Sequence, residues 1–164
     1  MKTYVITVSE YFPQTHSRKG ENTFFPSMIL SAIGRDDLLV DKCFQKPPKK
    51  LHTIRANYPL WKKRFDKIEK GEACLSIRRW TGKPYRSKQE EIARLTKADG
   101  IGMQSLEMTF LGWFIDDQDS DYTSRDIAIN DGLSQMDFSS WFKGKVSIDM
   151  EPMAIIHFTK FRYK

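Results

Sequence analysis

The sequence is poor in the residues that build disulfide frameworks and metal sites. It has 2 cysteines, Cys43 and Cys74, and 3 histidines, which are His16, His52 and His157. The histidines lie far apart in the chain and share no metal-ligand spacing, whereas a zinc site needs four ligands that come in close pairs. We therefore expect neither a metal nor a cofactor. We also expect both cysteines to be small buried hydrophobic residues rather than a disulfide.

Long apolar runs and the common nucleotide-binding loops are lacking as well. No uninterrupted apolar run approaches the roughly 18 residues that span a bilayer, and the first residues lack the long apolar segment of a secretory signal. The sequence has no Gly-x-Gly-x-x-Gly after a strand, no P-loop, no Gly-x-Ser-x-Gly elbow and no RNP1 pattern. These absences predict a cytoplasmic protein without a membrane partner, and they give no support to an ordinary dinucleotide, P-loop or esterase site.

Positive charge, by contrast, is concentrated in the middle of the chain. The net charge is +6, but residues 42–97 carry 17 Lys/Arg against 5 Asp/Glu, whereas residues 98–164 carry 6 against 11. Such a basic segment favours an anionic partner, above all a nucleic acid or a phosphorylated nucleoside. The alternative is a solvated, lysine-rich helix face that acidic residues of the last third partly neutralise.

The length and the residue pattern indicate one α+β domain over residues 1–164. Alternating apolar residues predict strands at 4–8, 51–55, 73–80, 101–110, 111–115 and 153–163, with the stretch 101–115 interrupted by Gly112. Helices are predicted at 26–33, after Asn57, at 124–130 and after Ser134, where Asp137 completes a capping box. Residues 85–98 fit a helix or a strand equally well.

These strands are not separated by regular strand–helix–strand spacing. The arrangement argues against a doubly wound sheet. We expect a small, curled, mixed β-sheet or β-barrel with three to four flanking helices.

The densest group of chemically useful residues is Lys50 to Arg55, Lys-Leu-His-Thr-Ile-Arg. In an extended chain Thr53 and Arg55 share one face, and Lys50 lies where its long side chain could fold back toward Thr53. A lysine can activate a hydroxyl if burial and a neighbouring cation lower its pKa. The alternative is that Thr53 is an ordinary strand residue and that both cations lie on the surface.

Two motifs resemble the ASCH family of the PUA-like fold. The first is Lys-x-x-Thr-Ile-Arg at Lys50 to Arg55, and the second is the acidic residue, glycine and serine-led helix from Asp131 to Phe138. The segment from Trp80 to Ser87 is similar to phage-associated and bacterial members of this group. The resemblance implies a small β-barrel whose cleft binds RNA or a modified nucleoside.

One branch of that family is similar to an amidohydrolase that removes the acetyl group of N4-acetylcytidine with a Lys, a Thr and a Glu. The resemblance places Lys50 and Thr53 on the first two positions and Asp131 on the third. Thr53 would then attack the amide carbonyl and Lys50 would take its proton, while Asp131 orients Lys50 or protonates the leaving amine. Asp131 is one methylene shorter than the Glu of that branch.

The competing hypothesis is a binding module without catalysis. Its candidate ligand-binding residues are His52, Arg55, Arg78, Trp80, Lys83 and Tyr85, of which Trp80, Tyr85 or His52 would stack on a base. The aromatic residues could equally be core or cleft-lining residues. A third hypothesis is a phage or mobile-element accessory protein that binds another protein through the acidic loop 116–121.

Overall fold

The computed structural model describes residues 1–39, 47–119, 121–144 and 151–164. Its helices are α1 (Phe25–Ala32), α2 (Tyr58–Glu69), α3 (Ser124–Asn130) and α4 (Gln135–Trp141). Its strands are β1 (Lys2–Thr7), β2 (His52–Arg55), β3 (Ala73–Trp80), β4 (Gln89–Leu95), β5 (Gly102–Met108), β6 (Trp113–Ile115), β7 (Gln118–Asp119) and β8 (Met153–His157). The α+β class expected from the sequence is confirmed.

The strands form two sheets. One has the order β1-β3-β4, with β1 parallel to β3 and β3 antiparallel to β4. The other is antiparallel and has the order β2-β8-β5-β6-β7. Within the described ranges no backbone ladder joins the two sheets, so they do not close into the expected barrel and do not form one curled sheet.

Local sequence signals account well for α2 and β3. The Asn57 side chain accepts a hydrogen bond from the backbone N–H of Leu60 and caps α2. The apolar stripe of α2 is buried at Trp61, Phe65 and Ile68, and the cations on its opposite face are largely solvated, as expected. Strand β3 has the predicted bounds.

Long-range contacts determine two elements that the local sequence pattern did not predict correctly or left ambiguous, β4 and the end of β8. Residues 89–95 of the ambiguous segment form β4, because they pair with the edge of β3 and bring Arg79 opposite Glu90. The last strand ends at His157, short of the predicted bound at residue 163, and the chain then turns back so that Tyr163 is buried.

The capping box is also not where the sequence placed it. Ser134 does cap α4, but the Asp137 carboxylate binds Arg18. A reciprocal box forms instead at α3, between Thr123 and Asp126.

Three further expectations concern the cysteines, the acidic loop and membrane-spanning segments. Cys74 is fully buried, as expected, whereas Cys43 lies outside the described residues. The acidic loop predicted at 116–121 is in part the β6–β7 turn and β7. Over the described ranges, no helix is both long and apolar enough to cross a membrane.

Candidate functional site

Two backbone hydrogen bonds just before β2 place the candidate site. The N–H of Lys50 donates to the carbonyl of Met28 in α1, at 3.1 Å. The N–H of Leu51 donates to the carbonyl of Asn130 at the end of α3, at 2.8 Å. These bonds fix Lys50 beside Asp131, which is 81 residues away in the chain.

Lys50 and Asp131 form a buried ion pair. The Lys50 Nζ lies 2.7 Å from Asp131 Oδ1 and also donates to the backbone carbonyl of Asp131. Only 1% of the Lys50 side chain and 5% of the Asp131 side chain is exposed. The amine also lies 4.0 Å from the centre of the Phe25 ring, in cation–π contact. The two side chains thus satisfy each other inside the protein.

The surroundings move both protonation equilibria. Burial lowers the pKa of Lys50, the charge of Asp131 opposes that shift, and the nearby Arg55 lowers the pKa further. Burial tends to raise the pKa of Asp131, but Lys50 and His52 outweigh it, so this pKa lies below its ordinary value. The site therefore holds an ionised carboxylate next to an amine that loses its proton more easily than a surface lysine does.

Thr53 contributes an unengaged hydroxyl. Thr53 is 5% exposed, and its hydroxyl has no hydrogen-bond partner among the described residues. Among the described residues, the fully enclosed side-chain atoms without a hydrogen-bond partner are His52 Nδ1 and His157 Nδ1. The Thr53 oxygen is not one of them, so it keeps some contact with solvent. Its hydroxyl makes no hydrogen bond to Lys50, although both residues flank the start of β2. It is thus a hydroxyl without a partner on the strand that follows Lys50, and it belongs to no closed hydrogen-bond network.

The structure also has a cavity of about 650 Å³, whose lining does not include Lys50, Thr53 or Asp131. It is lined by the end of β1 and the segment that follows, by Arg55, and by the β3–β4 connection with Trp80, Lys83 and Tyr85. The rings of Trp80 and Tyr85 have their centres 5.3 Å apart at an angle of 52°. Tyr85 is 90% exposed, so its ring is open to solvent. The cavity combines aromatic surface with positive charge.

Arg55 lies in the cavity wall and interacts electrostatically with Lys50. Its guanidinium donates to the backbone carbonyl of Thr7, which fixes it in the cavity wall. The same charge lowers the pKa of Lys50, so the two groups interact electrostatically.

Two of the expected ligand-binding residues lie elsewhere. His52 is fully buried, with Nε2 2.7 Å from the Tyr163 hydroxyl and its ring packed against His157, so it has no face free for a base. Arg78 donates to Ser76 Oγ at 2.9 Å and does not line the cavity. Strand alternation identifies residues that share a face but does not say which face is buried.

The sequence missed other residues of the site because their signals are long-range. Phe25 covers the Lys50 amine, while Glu10, Tyr11 and Phe12 line the cavity. These residues precede Lys50 by at least 25 positions, and no local spacing links them to it. In the described part of the chain, no cluster of three or more His, Cys, Asp or Glu side chains is arranged to hold a metal ion.

Gly132 is expected to be essential for the position of Lys50. It has φ +78°, and a Cβ there would lie 3.0 Å from Met28 Sδ and 3.3 Å from Lys50 Cβ. Gly132→Ala should therefore destabilise the protein by more than the roughly 1–2 kcal/mol that a left-handed residue costs. Gly71→Ala is the matched control, since Gly71 has φ +75° with nothing within 4 Å. Urea denaturation of both variants measures the difference, and equal losses would contradict the close packing on Lys50.

The chain was compared with family models, curated proteins and solved structures. No family model, curated protein or solved structure matches the chain. Three features bear on function: the buried Lys50–Asp131 pair, the unpaired Thr53 hydroxyl, and the aromatic, basic cavity.

Proposed function

We propose that the protein is an ASCH-like, PUA-like domain of the cytoplasm that binds the base of a modified nucleoside or of single-stranded RNA in its cavity. One observation carries the proposal: Arg55, Trp80 and Tyr85 line the same cavity of about 650 Å³. Small-molecule sites commonly measure roughly 300–1,000 Å³ and combine apolar walls with a few polar groups. A base and its ribose fit within that range.

The chemistry of the lining supports a nucleic-acid ligand. Proteins that bind single-stranded nucleic acids stack bases on aromatic side chains and hold the backbone with cations. Here Trp80 and Tyr85 supply the rings, and Arg55 and the exposed Lys83 supply positive charge. Glu10 in the same wall can accept hydrogen bonds from the edge of a base, although it also pairs with Arg79 at 3.3 Å.

Loss of the Trp80 ring should weaken binding of a short single-stranded RNA about 5- to 150-fold. That range corresponds to the roughly 1–3 kcal/mol that one stacked base contributes. Fluorescence anisotropy with labelled RNA, with and without N4-acetylcytidine, measures the affinity. The matched control is Phe110→Ala, which removes an aromatic ring that is 80% exposed and lies outside the cavity.

The affinity for RNA is also expected to depend on the salt concentration. If cations hold phosphates, the affinity of the native protein should fall steeply as salt rises. Equal losses for Trp80→Ala and Phe110→Ala, or no RNA and no nucleoside binding by the native protein, would contradict the proposal.

A second candidate is hydrolysis of an N-acyl nucleoside such as N4-acetylcytidine. The direct 2.7 Å contact between Lys50 Nζ and Asp131 Oδ1 favours it, since the shorter acidic side chain still reaches the amine. In this reaction Lys50 acts in its neutral form, which the lowered pKa favours: the Thr53 oxygen bonds to the acyl carbon and its proton passes to the deprotonated Lys50 amine. The C–N bond then breaks, Lys50 returns the proton to the leaving amine, and water hydrolyses the acyl-threonine ester. Arg55 stabilises the negative charge on the carbonyl oxygen.

A further inference from the structure

We propose that His52 is a positioning residue, which Tyr163 holds with its proton on Nδ1 and which thereby keeps the Asp131 carboxylate in place against Lys50. The geometry is a chain of polar contacts behind the ion pair. Tyr163 Oη lies 2.7 Å from His52 Nε2, and His52 Nδ1 lies 3.6 Å from Asp131 Oδ1. Asp131 Oδ1 in turn accepts from Lys50 at 2.7 Å. All four side chains are largely or fully buried.

The charge of Asp131 determines the tautomer of His52. If the proton were on Nε2, the lone pair of Nδ1 would face a carboxylate oxygen 3.6 Å away, and two electron-rich atoms would repel each other in a dry interior. With the proton on Nδ1, that N–H points to the carboxylate and Nε2 is free to accept. Burial lowers the pKa of His52, so the ring is neutral and one of these two forms must be present.

Tyr163 donates the hydrogen bond that His52 Nε2 accepts in this tautomer. Asn130 Nδ2 donates to Tyr163 Oη at 3.0 Å, which leaves the phenolic proton for His52 Nε2. Burial raises the pKa of Tyr163, so that proton is retained. The hydroxyl therefore donates to Nε2 and fixes the proton of His52 on Nδ1.

The other two histidines should have the opposite tautomer. His157 Nε2 lies 3.1 Å from Gln104 Oε1, which also accepts from the backbone N–H of Tyr163, so His157 carries its proton on Nε2. His16 Nδ1 accepts from the backbone N–H of Arg18, and His16 Nε2 lies 2.9 Å from the carbonyl of Asp137. His52 is thus expected to differ from both of the other histidines of the chain.

The tautomer of His52 is a property of the folded chain, and only the use of the positioned Asp131 in catalysis rests on the proposed hydrolytic function. Nitrogen-15 NMR of the imidazole rings at neutral pH distinguishes protonated from bare nitrogens. We expect one histidine in the Nδ1–H form and two in the Nε2–H form. Tyr163→Phe should lower the Nδ1–H fraction of His52. An Nε2–H form of His52 in the native protein would overturn the proposal, whether or not the protein hydrolyses anything.

A second measurement separates positioning from a purely structural role. In His52→Asn the amide nitrogen lies about where Nδ1 was and keeps an N–H facing Asp131, whereas His52→Leu has no N–H there. The titration midpoint of the Asp131 carboxyl, followed by carbon-13 NMR, should rise in His52→Leu and stay near the native value in His52→Asn. Equal midpoints in the two variants would overturn the positioning role. If His52→Leu does not fold, the comparison of Tyr163→Phe with the native protein decides in the same way.

Discussion

Lys50→Met is expected to destabilise the folded protein by about 3–5 kcal/mol, the usual cost of removing one partner of a buried ion pair. Methionine keeps most of the side-chain volume, so the loss reports mainly on the Asp131 carboxylate, which is 5% exposed and would lose its charged partner. Urea denaturation gives the free energy of unfolding.

Lys49→Met is the matched control for that experiment. Lys49 precedes Lys50 in the chain and is exposed, so its replacement should change the free energy of unfolding by no more than about 0.5 kcal/mol. Adding Asp131→Asn to Lys50→Met should recover part of the loss, because the unpaired charge is then gone. Similar results for Lys49→Met and Lys50→Met would show that the ion pair is not buried as described.

The pH dependence of these variants has a defined sign. The pKa of Asp131 in the folded protein lies below its ordinary value of 3.8. Its stabilising contribution is therefore complete above that ordinary value and disappears as the pH falls through the folded-state pKa. In Lys50→Met we expect the unpaired Asp131 carboxyl to have a raised pKa. Its unfavourable buried charge is then removed by protonation at a higher pH than in the native protein. The difference in stability between native protein and variant should thus narrow as the solution is acidified.

Thr53→Ala should abolish any hydrolysis of N4-acetylcytidine by the native protein, with a fall in kcat of roughly four orders of magnitude or more, as when other hydrolases lose their nucleophile. In the proposed reaction the Thr53 hydroxyl is the nucleophile, and alanine has no group that could replace it. Chromatographic detection of cytidine measures the reaction.

Thr53→Ser serves as the control because it keeps the hydroxyl and should retain measurable activity. Substrate binding should survive in both variants, since the cavity residues are unchanged. Undiminished activity in Thr53→Ala would exclude Thr53 as the nucleophile. A native protein that releases no cytidine would exclude this reaction and leave nucleoside binding as the function.

The sequence predicted those features that depend on neighbouring residues. The stripe of α2, its Asn57 cap and the alternation of β3 are local signals, and the structure has them at the expected positions. The proximity of Lys50 and Asp131 came from the ASCH resemblance, because spacing alone cannot bring together residues 81 positions apart. That the shorter Asp131 carboxylate reaches the amine directly could be learned only from the backbone of α3.

Other features depend on which surfaces meet in three dimensions. His52 and Arg55 belong to one short strand, yet one is sealed in the core and the other lines the cavity. The sequence placed both on the ligand because it could not tell the buried face of β2 from the open one. The cavity wall at the end of β1 depends on the parallel pairing of β1 with β3, which no local pattern specifies.

The most direct test of nucleoside binding in the cavity is proton–nitrogen NMR of the indole groups during titration of the native protein with N4-acetylcytidine. The chain has 4 tryptophans, and of these Trp80 lines the cavity. We expect a saturable shift that is largest for the Trp80 indole, with smaller changes at Trp61, Trp113 and Trp141. Indole signals that stay in place at saturating nucleoside, or that all move alike, would contradict it.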